Sequence, residues 1–295
     1  MINTKLATAI AGIVLSSAAT DILAATTMYN TFTTTISSAT DGWTRIADTN
    51  GDGYGTGPES KGNSGLILPW AGTAGNKLPF AYAGSSHLNW AVQLDSVGDV
   101  AEISGADSLA KYGFDAEIDT GGGAWNDNGL TAAGLPSATG PTGWRHQTDI
   151  GLISSSETQN VTINLSTVHG LFSRFGVTVF EGMDTNTANY THHGAWNNAS
   201  YPFTNDNPFG TAGLTNIGYS DNVDADNGFT FLAEAGKIYS VYLGGVGFSR
   251  WNAGVDGYKL SVSTSPVPVP GALWLFGSAI AGFVGLGRRK AVVSA

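Results

Sequence analysis

The residues of this sequence best suited to hold a transition metal are its five histidines, His87, His146, His169 and the pair His192-His193, because the chain has no cysteine. Without thiolate, such a metal must be held by imidazole, carboxylate or amide. Three of the histidine sites lie beside tryptophan: His87-Leu-Asn-Trp90, Trp144-Arg-His146 and His192-His193-Gly-Ala-Trp196. Imidazole suits copper, zinc or nickel alike, so residue type alone does not choose the ion. Five histidines in 295 residues is no enrichment, so from residue type alone each reads as a turn or surface residue rather than a ligand.

The hard-cation chemistry is more local. Asp48-Thr-Asn50-Gly-Asp52-Gly53-Tyr54-Gly-Thr-Gly-Pro-Glu59 has the spacing of a twelve-residue calcium loop. Asp48, Asn50 and Asp52 supply oxygens, Gly53 makes the sharp turn, Tyr54 offers its carbonyl and Glu59 closes the site with two oxygens. The competing reading is a Gly/Asp-rich surface turn, since Gly55 replaces the usual apolar residue and no strong helix flanks the loop. A second acidic run, Asp221-Asn-Val-Asp224-Ala-Asp226-Asn227-Gly228, matches no standard calcium spacing and reads as a solvated turn.

Acid-base chemistry is weakly signalled. Asp115, Glu117 and Asp119 alternate as they would along a strand, and such carboxylates could act on a glycoside. A general acid would need an apolar pocket that the sequence does not announce, so a polar strand face is the expectation. No Ser-His-Asp signature or zinc-protease helix motif is present, and the chain is not expected to be an enzyme.

These residues need elements to position them. With 41 glycines, 12% charged and 11% aromatic residues, the chain reads as many strands joined by turns. Alternating runs predict strands from Asn160 to Val168, Phe175 to Phe180, Phe229 to Ala233, Ile238 to Leu243 and Tyr258 to Val262. The short Gly-containing turn between the third and fourth predicts a hairpin. The expected fold is mainly β, an antiparallel sandwich with long Gly/Asn/Asp-rich loops, with a barrel as the alternative. The net charge of −10 argues against a nucleic-acid partner and favours cations or neutral glycans.

Both ends read as processing segments. Lys5, the apolar run Leu6 to Ala19 and the small residues Ala24 and Ala25 follow the order of a secretory signal over residues 1–25. A body over 26–265 precedes a tail over 266–290, where Pro266, Pro268 and Pro270 lead into an apolar helix from Ala272 to Leu286 and then Arg288, Arg289 and Lys290. That helix is short for a full span but suits a transient transmembrane anchor with its basic end in the cytoplasm. The tail resembles the PEP-CTERM/VPLPA-type sorting signals, which implies an exosortase-like processing enzyme as partner; Val269 stands where the main PEP-CTERM pattern has Glu.

Ser86-His-Leu-Asn-Trp-Ala-Val-Gln-Leu, Ala101-Glu-Ile-Ser-Gly-Ala-Asp-Ser-Leu-Ala-Lys-Tyr-Gly, Trp144-Arg-His146 and Gly182-Met-Asp-Thr-Asn-Thr resemble the copper-repressible CorA/MopE surface proteins of methane-oxidising bacteria. The resemblance runs from about His87 to Val262. It implies Cu(I) held by two histidines distant in sequence and by kynurenine, an oxidised tryptophan. Carried over by position, His87 and His146 are the imidazole ligands and Trp144 is the tryptophan oxidised. Trp90 competes with Trp144, and His192-His193 is a rival imidazole source.

Two functions therefore stand side by side: an exported, cell-surface Cu(I)-binding protein for copper capture or uptake, stiffened by Ca2+, and a calcium-stabilised structural or glycan-binding protein of the extracellular matrix. The first requires His87 and His146 to converge; the second requires an aromatic platform for sugar rings.

Overall fold

The computed structural model describes residues 25–31, 70–82, 88–130, 133–136, 148–185, 213–248, 254–268 and 279–280. They form two face-to-face β-sheets with one short α-helix and two single-turn 3-10 helices, Ala74–Asn76 and Pro79–Ala81. The large sheet holds β1 (Thr26–Asn30), β2 (Trp70–Ala71), β3 (Trp90–Leu94), β7 (Asp149–Ser155), β9 (Phe175–Glu181), β10 (Thr215–Val223) and β12 (Ile238–Phe248), in the order β10-β9-β12-β7-β3-β1-β2. The small sheet is β11 (Phe229–Ala233), β8 (Gln159–Thr167), β13 (Val255–Pro266) and β4 (Val100–Ile103) in that order. Two short strands, β5 (Asp119–Gly121) and β6 (Asn126–Asp127), attach to β13 and β12.

The five strands read from alternation are present within a few residues, and the body is the expected sandwich. In β8 the alternation is visible in burial: Val161, Ile163 and Leu165 face the interior while Asn160, Thr162 and Asn164 do not. Those residues meet Leu260 and Val262 of β13 and, from the large sheet, Val177, Val179, Val241, Leu243 and Ile153 in one core. The large sheet carries a second apolar cluster on its outer face, including Met28, Trp70, Leu88, Trp125, Leu152, Phe180 and Tyr242. Strands β7 and β9 are accordingly buried on both faces and lack simple alternation.

One expectation is refined and one is corrected. Most pairs are antiparallel, but β3 runs parallel to β7 and β6 parallel to β12, so the large sheet is mixed. The hairpin between Phe229 to Ala233 and Ile238 to Leu243 does not form: β11 pairs with β8, and β12 pairs with β7 and β9 in the opposite sheet. The connection is an arch across the core. Phe231 and Ala233 point inward from one side, Tyr239 and Val241 from the other. Its turn, with Gly236 at φ 77 and its N–H on the Ser155 carbonyl (2.8 Å), has the local chemistry a hairpin would have, so local chemistry could not separate the two.

Two glycines are required by tryptophans. A Cβ on Gly151 would lie 2.1 Å from the Trp90 ring, and one on Gly176 would lie 2.0 Å from the Trp125 ring. Each indole therefore lies flat on a neighbouring strand's backbone. The helix α1 (Gly105–Tyr112) begins where the Ser104 side chain accepts the Asp107 N–H and ends at Gly113 in a left-handed conformation, φ 79. Among the described residues no helix is long and apolar enough to cross a membrane.

Candidate functional site

The sequence-derived copper ligands fall just ahead of two strands that start side by side. Strands β3 and β7 run parallel and in step, with Trp90 opposite Gly151. Asn89 extends their pairing below the first rung. Its N–H donates to the Ile150 carbonyl (2.9 Å), and the Ile150 N–H donates to its Oδ1 (3.1 Å). On the other flank, Asn30 donates its N–H to the Asn89 carbonyl and its Nδ2 to the Leu88 carbonyl, both at 3.1 Å. A side-chain amide on either side thus fixes residues 88–90 against 149–151, and Leu88 and Asn89 are buried.

Inside the sandwich at this level lies a buried polar chain. Trp90 Nε1 donates to Tyr258 Oη (2.8 Å), which donates to Asp149 Oδ2 (2.5 Å). All three side chains are fully buried, so Trp90 is a structural element of the core rather than an accessible tryptophan. On the outer face, Asn30 pairs with Trp70, and both Trp70 Nε1 and Asn89 Nδ2 are buried without a hydrogen-bond partner. These are N–H donors, which suit an acceptor atom and not a cation.

His87, His146 and Trp144, the rival pair His192-His193, and the calcium-loop residues Asp48, Asn50, Asp52, Tyr54 and Glu59 lie outside the described residues. Among the described residues no cluster of three or more His, Cys, Asp or Glu could hold a metal. His169 is described and stands in the turn after β8. Its side chain is 80% exposed, its Nδ1 is 2.8 Å from Asp256 Oδ1, and buried Asp256 also accepts the His169 and Leu171 backbone N–H groups. Asp256 therefore shapes that turn.

Asp115, Glu117 and Asp119 do alternate with buried Ala116, Ile118 and Thr120, but only Asp119 belongs to a strand. The trio faces away from the core. Around Asp224 the acidic run closes as a turn: Oδ1 accepts the Asp226 N–H (2.8 Å) and the Asn227 N–H (2.7 Å), and Oδ2 accepts Asn227 Nδ2 (2.8 Å). The Asn227 side chain, then the backbone donors, hold this carboxyl below its ordinary value of 3.8.

Sequence reasoning missed Asp149, Tyr258 and Asp256. Asp149 opens an otherwise apolar run, Ile150-Gly-Leu-Ile153, and an acid in that place is a signal of a buried polar partner.

No protein-family model matches this sequence, and no curated protein matches it. Among solved structures, the surface-associated copper-binding protein CorA, important in copper acquisition by Methylomicrobium album BG8, is 14% identical, with 58% of this chain and 96% of that chain covered at a TM-score of 0.29. PliG of Aeromonas hydrophila, a periplasmic inhibitor of g-type lysozyme, is 11% identical over 59% of this chain and 97% of its own, TM-score 0.25. The pre-peptidase C-terminal domain of a Bacillus anthracis collagenase is 11% identical over 59% and 94%, TM-score 0.23. Likenesses this loose define neither a family nor a function.

Proposed function

We propose that this chain is an exported, non-catalytic protein of the cell envelope that captures Cu(I) through His87 and His146, with an oxidised Trp144 as the third contact. The observation that supports the reading is the parallel start of β3 and β7. His87 stands two residues before Asn89 and His146 four before Ile150, and Asn89 and Ile150 are hydrogen-bonded to each other. At about 3.4 Å of chain per residue, two and four residues of chain are long enough for both imidazoles to reach one ion. Two neutral imidazoles and no thiolate suit Cu(I).

Ca2+ in the loop from Asp48 to Glu59 is proposed as a structural ion, and the basic C-terminal tail as a sorting signal read by an exosortase-like enzyme after transient membrane anchoring. The test is anaerobic Cu(I) competition titration of the secreted form, on the wild type and on His87→Ala/His146→Ala, with intact mass measured for tryptophan oxidation. Stoichiometric copper that is lost in the double variant is the expected result. Absence of copper binding in the wild type sinks the proposal.

A further inference from the structure

A groove of 720 Å³ opens beside β1 and β2, away from the β3–β7 start, and its walls hold recognition groups that the fold leaves unused. The residues with positive φ other than glycine, among those described, are Asn76 (φ 55), Phe80 (φ 53) and Ala81 (φ 55), and all three line this groove. Left-handed backbone at a phenylalanine is unfavourable, and such conformations persist where the surroundings hold a side chain in a set direction.

The side chains so held have few competing partners. Phe80 is half-buried against the outer apolar cluster and stacks on no other described ring. Lys77 is exposed, and among the described residues it has no ion pair and the side chains of Asn76 and Thr26 have no hydrogen bond. Among the described residues that line it, none is acidic. The described lining of the groove therefore combines an aromatic ring (Phe80), an amide (Asn76), a hydroxyl (Thr26) and a cation (Lys77).

We infer that this groove binds a saccharide bearing a carboxylate, a uronic-acid unit, by stacking a pyranose face on Phe80, hydrogen-bonding its hydroxyls through Asn76 and Thr26, and pairing its carboxylate with Lys77. A pyranose presents an apolar C–H face that suits an aromatic ring, and its hydroxyls match amide and hydroxyl groups. The unpaired ammonium selects the acidic sugar over its neutral counterpart. The net charge of −10 limits the ligand to short oligosaccharides or isolated acidic units, since a long polyanion is repelled at distance. The site would bind isolated uronate units independently of any metal.

The experiment is calorimetric titration of the secreted protein with short uronate oligosaccharides and with neutral oligosaccharides of the same length. Uronates should bind better than neutral sugars. Lys77→Gln should remove that preference, and Phe80→Ala should weaken uronate binding by about tenfold or more. Phe80→Tyr should retain it, and Lys77→Gln should keep the wild-type unfolding midpoint. Lys77 is exposed, so its variant reads recognition even if Phe80→Ala perturbs the loop. No saccharide binding, equal binding of both sugar sets, or binding indifferent to Lys77 and Phe80 overturns the inference. Copper titration is unaffected by either outcome.

Discussion

Tyr258 receives a hydrogen bond from Trp90 and gives one to Asp149 in the dry interior, so its hydroxyl serves two buried polar groups at once. Removing it strips Trp90 Nε1 of its acceptor and Asp149 of a donor. Tyr258→Phe should therefore destabilise the fold by about 2 to 4 kcal/mol, more than an ordinary hydrogen bond, because one partner is a buried carboxylate. Urea denaturation checks this; a change below about 0.5 kcal/mol would mean the chain is not stabilising. Gly151 tests the neighbouring contact. Its missing Cβ is the space that the Trp90 indole fills, so Gly151→Ala should cost about 3 kcal/mol or prevent folding, although alanine is the better strand residue. Retained stability would show that Trp90 can move aside.

Helix α1 is attached to β1 by polar contacts more than by apolar ones. Asp107 accepts from Tyr29 Oη (2.7 Å) and Thr27 Oγ1 (2.9 Å) and pairs with Lys111 (3.0 Å), while Tyr112 Oη donates to the Thr27 carbonyl (2.5 Å). Burial, then the hydrogen bond to Asp107 and its charge, push the Tyr29 phenol well above its ordinary 10.0; burial also raises Tyr112 and Tyr239. The folded state holds these protons more tightly than the unfolded chain. Their contribution to stability is thus complete below about pH 10 and is lost progressively as pH rises above it. Denaturation midpoints should fall as pH rises above about 10 by this mechanism, and Tyr29→Phe should flatten the fall; an unchanged slope would contradict it. The capping signals of α1, Ser104 and Gly113, were present in the sequence. The calcium proposal belongs to this scale too. Chelation should lower the unfolding temperature of the wild type by several degrees and leave Asp48→Asn/Asp52→Asn unchanged, while equal responses would contradict a structural ion in that loop.

At the scale of the whole molecule, the sandwich was legible because β8, β9, β11, β12 and β13 carry period-2 patterns or long apolar runs that need a face to bury. Strand pairing was not. The arch after Ala233 and the parallel β3–β7 contact depend on which sheet each strand joins, a long-range choice that no local spacing records. Edge strand β10 also escaped, since its residues are mostly exposed on both faces and its pairing with β9 is interrupted by two irregularities. The proposed site was legible only as histidines and tryptophans in sequence; the start of β3 beside β7 is the observation on which the proposal that His87 and His146 act together rests. The direct test is X-ray absorption at the copper K edge on Cu(I)-loaded protein. The account predicts two imidazole nitrogens at about 2 Å from copper, absent from the spectrum of His87→Ala/His146→Ala. A copper environment without imidazole, or one unchanged in the double variant, would contradict it.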